Sequence, residues 1–327
     1  MLLHQSSGRW RLGLALSLLT VFLWGILPIA LTVTLQVLDV YTVTWFRFLL
    51  SFGLLGVYLT SRQQLPFIKV NKKGSNAEGK AFLNFSFSLN DLPSQIGLLA
   101  IATVFLGLNY LFYLQGLAQT SPATAQVLIQ LAPVLMGLGA IAVFKERYNL
   151  QQWAGLGVLT LGFVLFFHEQ LRTLIASPNR YLTGSALLVI AAAVWAVYAL
   201  AQKQLLQKLP SSSIMLIIYG MCALMFSPFI TPQPILTLTP LHLGMLLFCG
   251  LNTLIGYGAF AESLAHWEAS KVSAVLATTP IVTLSSVWAV SFFTPTLLAP
   301  EQISFLAVLG AILVVLGSIA IALGKKQ

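Results

Sequence analysis

Residues Gly107–Arg147 read GLNYLFYLQGLAQTSPATAQVLIQLAPVLMGLGAIAVFKER. Two apolar runs are joined by the polar turn Gln119-Thr120-Ser121-Pro122, and the second run carries Pro133 near its middle. Each run belongs to a span long enough to cross a bilayer as a helix, which takes about 20 predominantly apolar residues. Serine followed by proline suits the start of the second helix. The hydroxyl caps a free amide, and proline in the first turn sacrifices no hydrogen bond. A weaker copy of the pattern runs from Leu254 to Ser291, with Pro280 in the place of Pro133. Two proline-interrupted spans in matching halves of an apolar chain point to the binding site of a carrier.

The composition agrees. Of 327 residues, 58% are apolar and 8% charged, and the mean hydropathy is +0.89. A soluble domain carries about 25% charged residues, so most of this surface faces lipid. The length rule gives ten spans, at 12–35, 41–60, 94–118, 122–144, 150–168, 182–204, 212–231, 241–265, 269–293 and 302–323. Arg9 and Arg11 precede an apolar run that continues to Leu35 without a small-x-small cleavage site, so it reads as a first span rather than a signal peptide.

The net charge of +9 would suit nucleic acid in a soluble domain. Here the basic residues lie between spans, so no nucleic-acid partner is expected. Fourteen lysines and arginines fall on the N-terminus, the even-numbered loops and the C-terminus, counting Lys203 and Lys271 at the span ends beside those loops, against only Arg172 and Arg180 in the odd-numbered loops. That asymmetry places both termini in the cytoplasm. The expected division is a cytoplasmic N-terminus 1–11, a first five-helix unit 12–168 with a cytoplasmic loop 61–93, an external linker 169–181, a second unit 182–323 and a cytoplasmic tail 324–327.

Landmarks recur between the halves. A slide of 147 residues lays Tyr110 on Tyr257, Gln115 on Glu262 and Pro133 on Pro280; a slide of 155 lays Glu146 on Glu301, Gly155 on Gly310 and Gly162 on Gly317; one of 171 lays Trp24 on Trp195. An odd number of helices per repeat sets the halves in opposite orientations. The expected fold is therefore an all-α integral membrane protein, with ten transmembrane helices as two inverted five-helix repeats.

These landmarks resemble the EamA-type branch of the drug/metabolite transporter superfamily. They are Trp24-Gly25, the WFRF around Arg47, GLAQTSPATAQVLIQLAPV followed by Glu146 and Gly155, and AHWEASKVSAVLATTPIV followed by Glu301 and Gly310. The resemblance spans nearly the whole chain and departs in the long 61–93 loop and the extra residues before Glu301. It implies ten helices in two repeats, a central cavity open to one side at a time, and movement of small metabolites. The expected location is the bacterial inner (plasma) membrane, with the lipid bilayer and a small-molecule substrate as partners.

Polar groups inside the spans are the candidate site. Arg47 reads as a cavity cation for a carboxylate or phosphate; the bland reading is a structural arginine that snorkels or bonds backbone carbonyls. Gln126, Gln130 and Pro133 share one face of span four. Trp24, Asn109, Tyr110, Tyr113, Trp195, Tyr198, Asn252 and Tyr257 supply amide and aromatic faces suited to an amphipathic solute. Each, taken singly, reads equally well as glue between helices. Pro28, Pro133 and Pro280 are the candidate hinges, against static kinks. Glu262 and His266, one turn apart near a membrane interface, are candidates for proton coupling, although an interfacial ion pair suits them better.

Gly155, Gly157, Gly162, Gly310 and Gly317 read as close-packing surfaces, against a neighbouring helix or a second subunit of a homodimer. Cys222 and Cys249 read as small packed hydrophobes. His168, His242 and His266 are scattered, and no metal-ligand spacing or Walker motif occurs. No metal, cofactor or enzymatic activity is expected. The expectation is a secondary carrier for amino acids or similar amphipathic solutes, in the efflux direction and working by alternating access. The alternatives are a carrier of organic anions such as sugar phosphates or nucleotide sugars, and a non-transporting receptor or scaffold.

Overall fold

The structure, a computed structural model, describes residues 9–61, 92–132, 135, 149–168, 180–205, 209–267, 272, 275–294 and 304–323. Ten α-helices are described: α1 (Trp10–Thr34), α2 (Val40–Ser61), α3 (Leu92–Leu117), α4 (Pro122–Leu128), α5 (Leu150–Phe166), α6 (Arg180–Leu205), α7 (Ser211–Phe226), α8 (Pro240–His266), α9 (Thr279–Phe293) and α10 (Phe305–Leu323). No strand occurs among the described residues. Six of the helices, α1, α2, α3, α6, α7 and α8, are long and apolar enough to cross a membrane, while α5, α9 and α10 are shorter and apolar.

Each helix falls within or on an expected span, and local chemistry sets several starts. Asp39 caps α2, its Oδ1 accepting from the Thr42 amide at 2.9 Å. Ser121 caps α4 from the Thr124 amide at 3.2 Å, with Pro122 opening the helix as expected. Asn149 and Gln152 form a reciprocal capping box at α5. Such caps satisfy amides that a helix start leaves without partners.

Span nine departs from expectation. Pro280 does not kink a continuous helix. Ala277 and Thr278 form a turn after the helical Val275-Leu276, and α9 starts anew with proline in its first turn. Proline is tolerated there because the first-turn amides have no helical acceptor. The break before Pro280 has a counterpart in span four, where α4 ends at Leu128 and Ile129-Gln130 make a turn. Pro133 itself and the remainder of that span lie outside the described residues, as do most of loop 61–93 and of linker 169–181.

The most extensive helix pairings map onto one another when each helix is exchanged for the one five places away, while lesser ones such as α1–α4 and α2–α3 have no counterpart of that extent among the described residues. The pairing α1–α8 becomes α6–α3, α1–α9 becomes α6–α4, and α2–α8 becomes α7–α3; α2–α7, α4–α9 and α5–α10 map onto themselves. The pairs α3–α6 and α5–α10 come closest through glycine. A Cβ on Gly116 would lie 2.8 Å from the carbonyl oxygen of Gly184, and one on Gly162 would lie 2.7 Å from that of Gly310. Small residues let backbones approach where no hydrophobic effect drives helices together. The outward faces carry Leu150, Trp288, Phe293 and Phe305, each at least 70% exposed, which only an apolar solvent accommodates at this density.

Candidate functional site

Arg47 enters the bundle from α2 and is 3% exposed. Its Nε donates to Thr253 Oγ1 on α8 at 3.0 Å, and its guanidinium lies 4.4 Å from the ring centre of Tyr110 on α3. Thr253 is a junction in its own right. Its hydroxyl donates to the Cys249 carbonyl at 3.0 Å, and its carbonyl accepts from the Tyr219 hydroxyl of α7 at 3.3 Å. Beside Arg47, Phe48 packs on Tyr110 with ring centres 4.5 Å apart and lies 6.1 Å from Tyr219. Helices α2, α3, α7 and α8 thus meet around one buried cation. Among the described residues no carboxylate pairs with it, and the described acid–base pair is Glu262 with His266.

One turn further along α8, Tyr257 faces Trp24 of α1 with ring centres 5.2 Å apart, and Phe260 lies 5.7 Å from the same indole. Gly256 admits that indole: a Cβ there would lie 2.6 Å from Trp24 Nε1. Trp195 sits edge-on to Tyr198 at 6.3 Å and packs with Tyr257 against the same aromatic core. The Tyr198 hydroxyl and the Gln202 amide both reach Met215 Sδ, at 3.6 and 3.4 Å. Tyr113 turns instead towards the cluster built on Leu31, Leu114 and Leu246.

The two asparagines act across helix pairs. Asn109 Nδ2 of α3 donates to the Ala191 carbonyl of α6 at 2.9 Å, and Asn252 Nδ2 of α8 donates to the Leu23 carbonyl of α1 at 2.6 Å. These are the same pairings under the five-helix exchange, and each amide ties two neighbouring helices together. Gln126 and Gln130 are buried on and just beyond α4, and among the described residues neither side chain forms a hydrogen bond. Pro28 lies buried inside α1. At Pro280, the Leu276 carbonyl that loses an amide donor accepts from Thr279 Oγ1 at 2.5 Å. The Ile129 carbonyl accepts from the Ala132 amide at 2.9 Å. Thr283 Oγ1 ties the start of α9 to the Gly25 carbonyl beside Trp24, at 2.7 Å.

Glu262 and His266 pair at 3.1 Å at the end of α8, with the glutamate side chain 62% exposed. At the opposite end of the bundle, Asp39 Oδ2 accepts from Thr42 Oγ1 at 2.5 Å and from Thr231 Oγ1 at 2.6 Å, and the Thr231 amide donates to Thr42 Oγ1 at 2.9 Å. This cluster joins the α1–α2 turn to the segment after α7. Partial burial pushes the Asp39 carboxyl up, but hydrogen bonds from the side chains of Thr231 and Thr42 and from the amides of Thr42 and Tyr41 outweigh it and hold the pKa below 3.8.

No group of residues suited to a metal ion occurs among the described residues. The open concavity on α2, lined by Phe52, Gly53, Gly56, Val57, Thr60 and Ser61, is an apolar surface trough that does not include Arg47. Sequence reasoning missed Thr253, Tyr219 and Thr283. The available signal for Thr253 was its place one turn before Tyr257, on the same face of α8.

Residues 11–168, and again 182–323, match the EamA-like transporter family. The chain is 35% identical over 315 residues to the uncharacterized inner membrane transporter YhbE of Escherichia coli K12, covering 96% of this chain and 92% of that one. An uncharacterized transporter of Haemophilus influenzae is 34% identical, with 96% of each chain covered. A probable amino-acid metabolite efflux pump of Salmonella typhimurium is 24% identical over 56% of this chain and 60% of its own length. A solved crystal structure superposes with a TM-score of 0.60 at 16% identity, covering 95% of this chain and 96% of that one, a likeness of fold.

Proposed function

We propose, on the premise that the chain belongs to the EamA-like transporter family, that it is a secondary carrier of small organic metabolites in the bacterial inner membrane. Its cargo is an amino acid or similar amphipathic solute, moved outward by alternating access. The observation that carries this reading is the buried cation Arg47, held by Thr253 and Tyr110 where four helices converge, with the Trp24–Tyr257 pair one turn further along α8. A bundle with no transport task would have little reason to keep a charge there, because an ionisable group at membrane depth is costly.

Ten crossings in two inverted repeats complete the proposal. The exchange-symmetric helix pairings support it, and so do the two family matches in succession and the helix breaks before Pro133 and Pro280. Two halves related in this way rock about a fixed site, with broken helices at its edges. Basic loops place both termini in the cytoplasm, which puts the Asp39–Thr42–Thr231 cluster on the outer side. There it acts as a latch between the first and second repeats. The inner-membrane name of the Escherichia coli relative and the amino-acid metabolite name of the distant Salmonella protein are consistent with this location and cargo.

Sugar phosphates and nucleotide sugars fit less well, since their multiple charges call for more than one buried cation. The test is uptake and counterflow in proteoliposomes with labelled amino acids, bases and sugar phosphates, with and without a pH gradient. Trans-stimulated uptake of an amphipathic amino acid is expected. Absence of flux for every solute would rule the carrier out.

A further inference from the structure

We propose that Arg47 is the receptor for a carboxylate on the transported solute, held in place for that task by Thr253 and Tyr110, and that the solute's apolar body lies one helical turn away against Trp24 and Tyr257. This deepens the carrier reading and rests on it.

Charge balance is the first ground. Arginine stays protonated under all relevant conditions, so Arg47 cannot escape burial by losing its charge. A buried ion costs several kcal/mol unless a counter-charge and hydrogen bonds offset it. Arg47 is 3% exposed, yet its described partners are a neutral hydroxyl and an aromatic face. An anionic ligand supplies the counter-charge that none of the described residues provides.

Geometry is the second ground. Thr253 occupies Nε, and the Tyr110 ring covers one face of the guanidinium plane. The remaining fork is the pair of Nη nitrogens at the tip, to which no described residue hydrogen-bonds. That fork matches the two oxygens of a carboxylate in the bidentate arrangement. Thr253 carries its proton to the Cys249 carbonyl, so its oxygen lone pairs face Arg47 and the arginine is fixed rather than free to swing. Thr253 is thereby a positioning residue.

Spacing is the third ground. Thr253 and Tyr257 lie four residues apart on α8, hence on one face and about 6 Å apart along the axis. Thr253, which holds the guanidinium, and Tyr257, which packs on Trp24, are thus offset along α8 by about the span from carboxylate to ring in an arylalkanoate or aromatic amino acid. A single fixed cation neutralises a monoanion. A phosphate monoester carries a charge of about −1.5 to −2 and would stay undercompensated.

The test uses the purified full chain in detergent and three matched probes: 3-phenylpropanoate, 3-phenylpropanamide and phenyl phosphate, with L-phenylalanine beside them. Binding is read by calorimetry. The carboxylates are expected to bind about tenfold or more tightly than the amide, as loss of a charged hydrogen-bonded pair demands, and phenyl phosphate more weakly than 3-phenylpropanoate. Arg47→Gln abolishes the preference for carboxylate over amide. Thr253→Val lowers it, and Thr253→Ser restores it; this pair keeps the test decisive if Arg47→Gln does not fold. Equal binding of acid and amide, no binding of either carboxylate, tightest binding of phenyl phosphate, or an unchanged preference in Thr253→Val would each overturn the proposal. Flux separates it from the broader reading. Carboxylate binding without any flux supports the receptor and removes the carrier, whereas flux of a neutral solute untouched by Arg47→Gln removes the receptor and keeps the carrier.

Discussion

Replacing Gly310 by alanine tests the α5–α10 contact directly. The added Cβ would lie 2.4 Å from the Phe166 amide nitrogen and 2.6 Å from the Gly162 carbonyl oxygen, both backbone atoms that cannot rotate aside. To reach the 3.4 Å at which ordinary contact begins, the two helices must part by about 1 Å. Overpacking of this kind costs about 1–3 kcal/mol. Alanine also gains up to about 1 kcal/mol of helix propensity over glycine, which would blur the result if read alone.

Gly157→Ala removes that ambiguity. It lies on the same helix α5, and a Cβ there meets nothing within 4 Å. It receives the propensity gain without the clash. The difference in unfolding free energy between the two variants is therefore expected to be about 1–3 kcal/mol, with Gly310→Ala the weaker. Reversible unfolding of the purified protein in mixed micelles, followed by tryptophan fluorescence, measures it. The double variant Gly162→Ala/Gly310→Ala should cost less than the sum of its parts, because one substitution already separates the helices for the other. Equal stability of Gly310→Ala and Gly157→Ala would refute the packing. A clash felt only at concentrations where the chain dimerises would place these glycines against a second subunit instead of against each other.

Three further outcomes follow from named contacts. Asn109→Ala and Asn252→Ala are each expected to cost about 0.5–1.5 kcal/mol in the same unfolding assay, while leaving the solute preference in the uptake panel unchanged, since each amide bonds a neighbouring helix. Asp39→Asn should loosen the contact with Thr231 by about 1 kcal/mol, the modest value proper to a partly exposed group. Because the folded pKa of Asp39 is depressed, its contribution is present above its ordinary value and is lost as the pH falls through the lower folded value; the protection of the Thr231 amide relative to its intrinsic exchange rate should thus stay constant through neutral pH and fall in acid. Thr279→Val leaves the Leu276 carbonyl without its hydroxyl donor beside Pro280, and is expected to cost about 1–3 kcal/mol of stability.

Much of the fold was legible because membrane helices advertise themselves by length and hydropathy. The narrow turn before Pro122 was readable for a different reason: serine and proline each have one favoured place at a helix start, and both occupy it. Pro280 was legible as an interruption of span nine, but not the form the interruption takes. Position within an apolar run suggested a kinked helix, but a proline that opens a new helix has the same local sequence, and only the turn at Ala277-Thr278 tells them apart. The candidate site was half legible. Arg47 stood out as a charge within a span, and Trp24 and Tyr257 as aromatics that recur between the halves, opposite Trp195 and Tyr110. Asn109 and Asn252 looked equally suited to solute, because helical spacing says which residues share a face and not which helix that face meets. Thr253 escaped for the same reason: a threonine in an apolar helix most often bonds its own backbone, and this one does so while also holding Arg47.

The proposed alternating access requires the Asp39–Thr42–Thr231 contact to open in each cycle. In a variant with Asp39→Cys and Thr231→Cys, a short thiol cross-linker should therefore join the two segments, whose side chains approach to 2.6 Å in the native protein. The decisive measurement is counterflow of a labelled amino acid in proteoliposomes holding this variant, before cross-linking, after it, and after reduction. Alternating access predicts flux that stops on cross-linking and returns on reduction. Flux that continues unchanged through the cross-linked protein, or no flux in any of the three states, would contradict it.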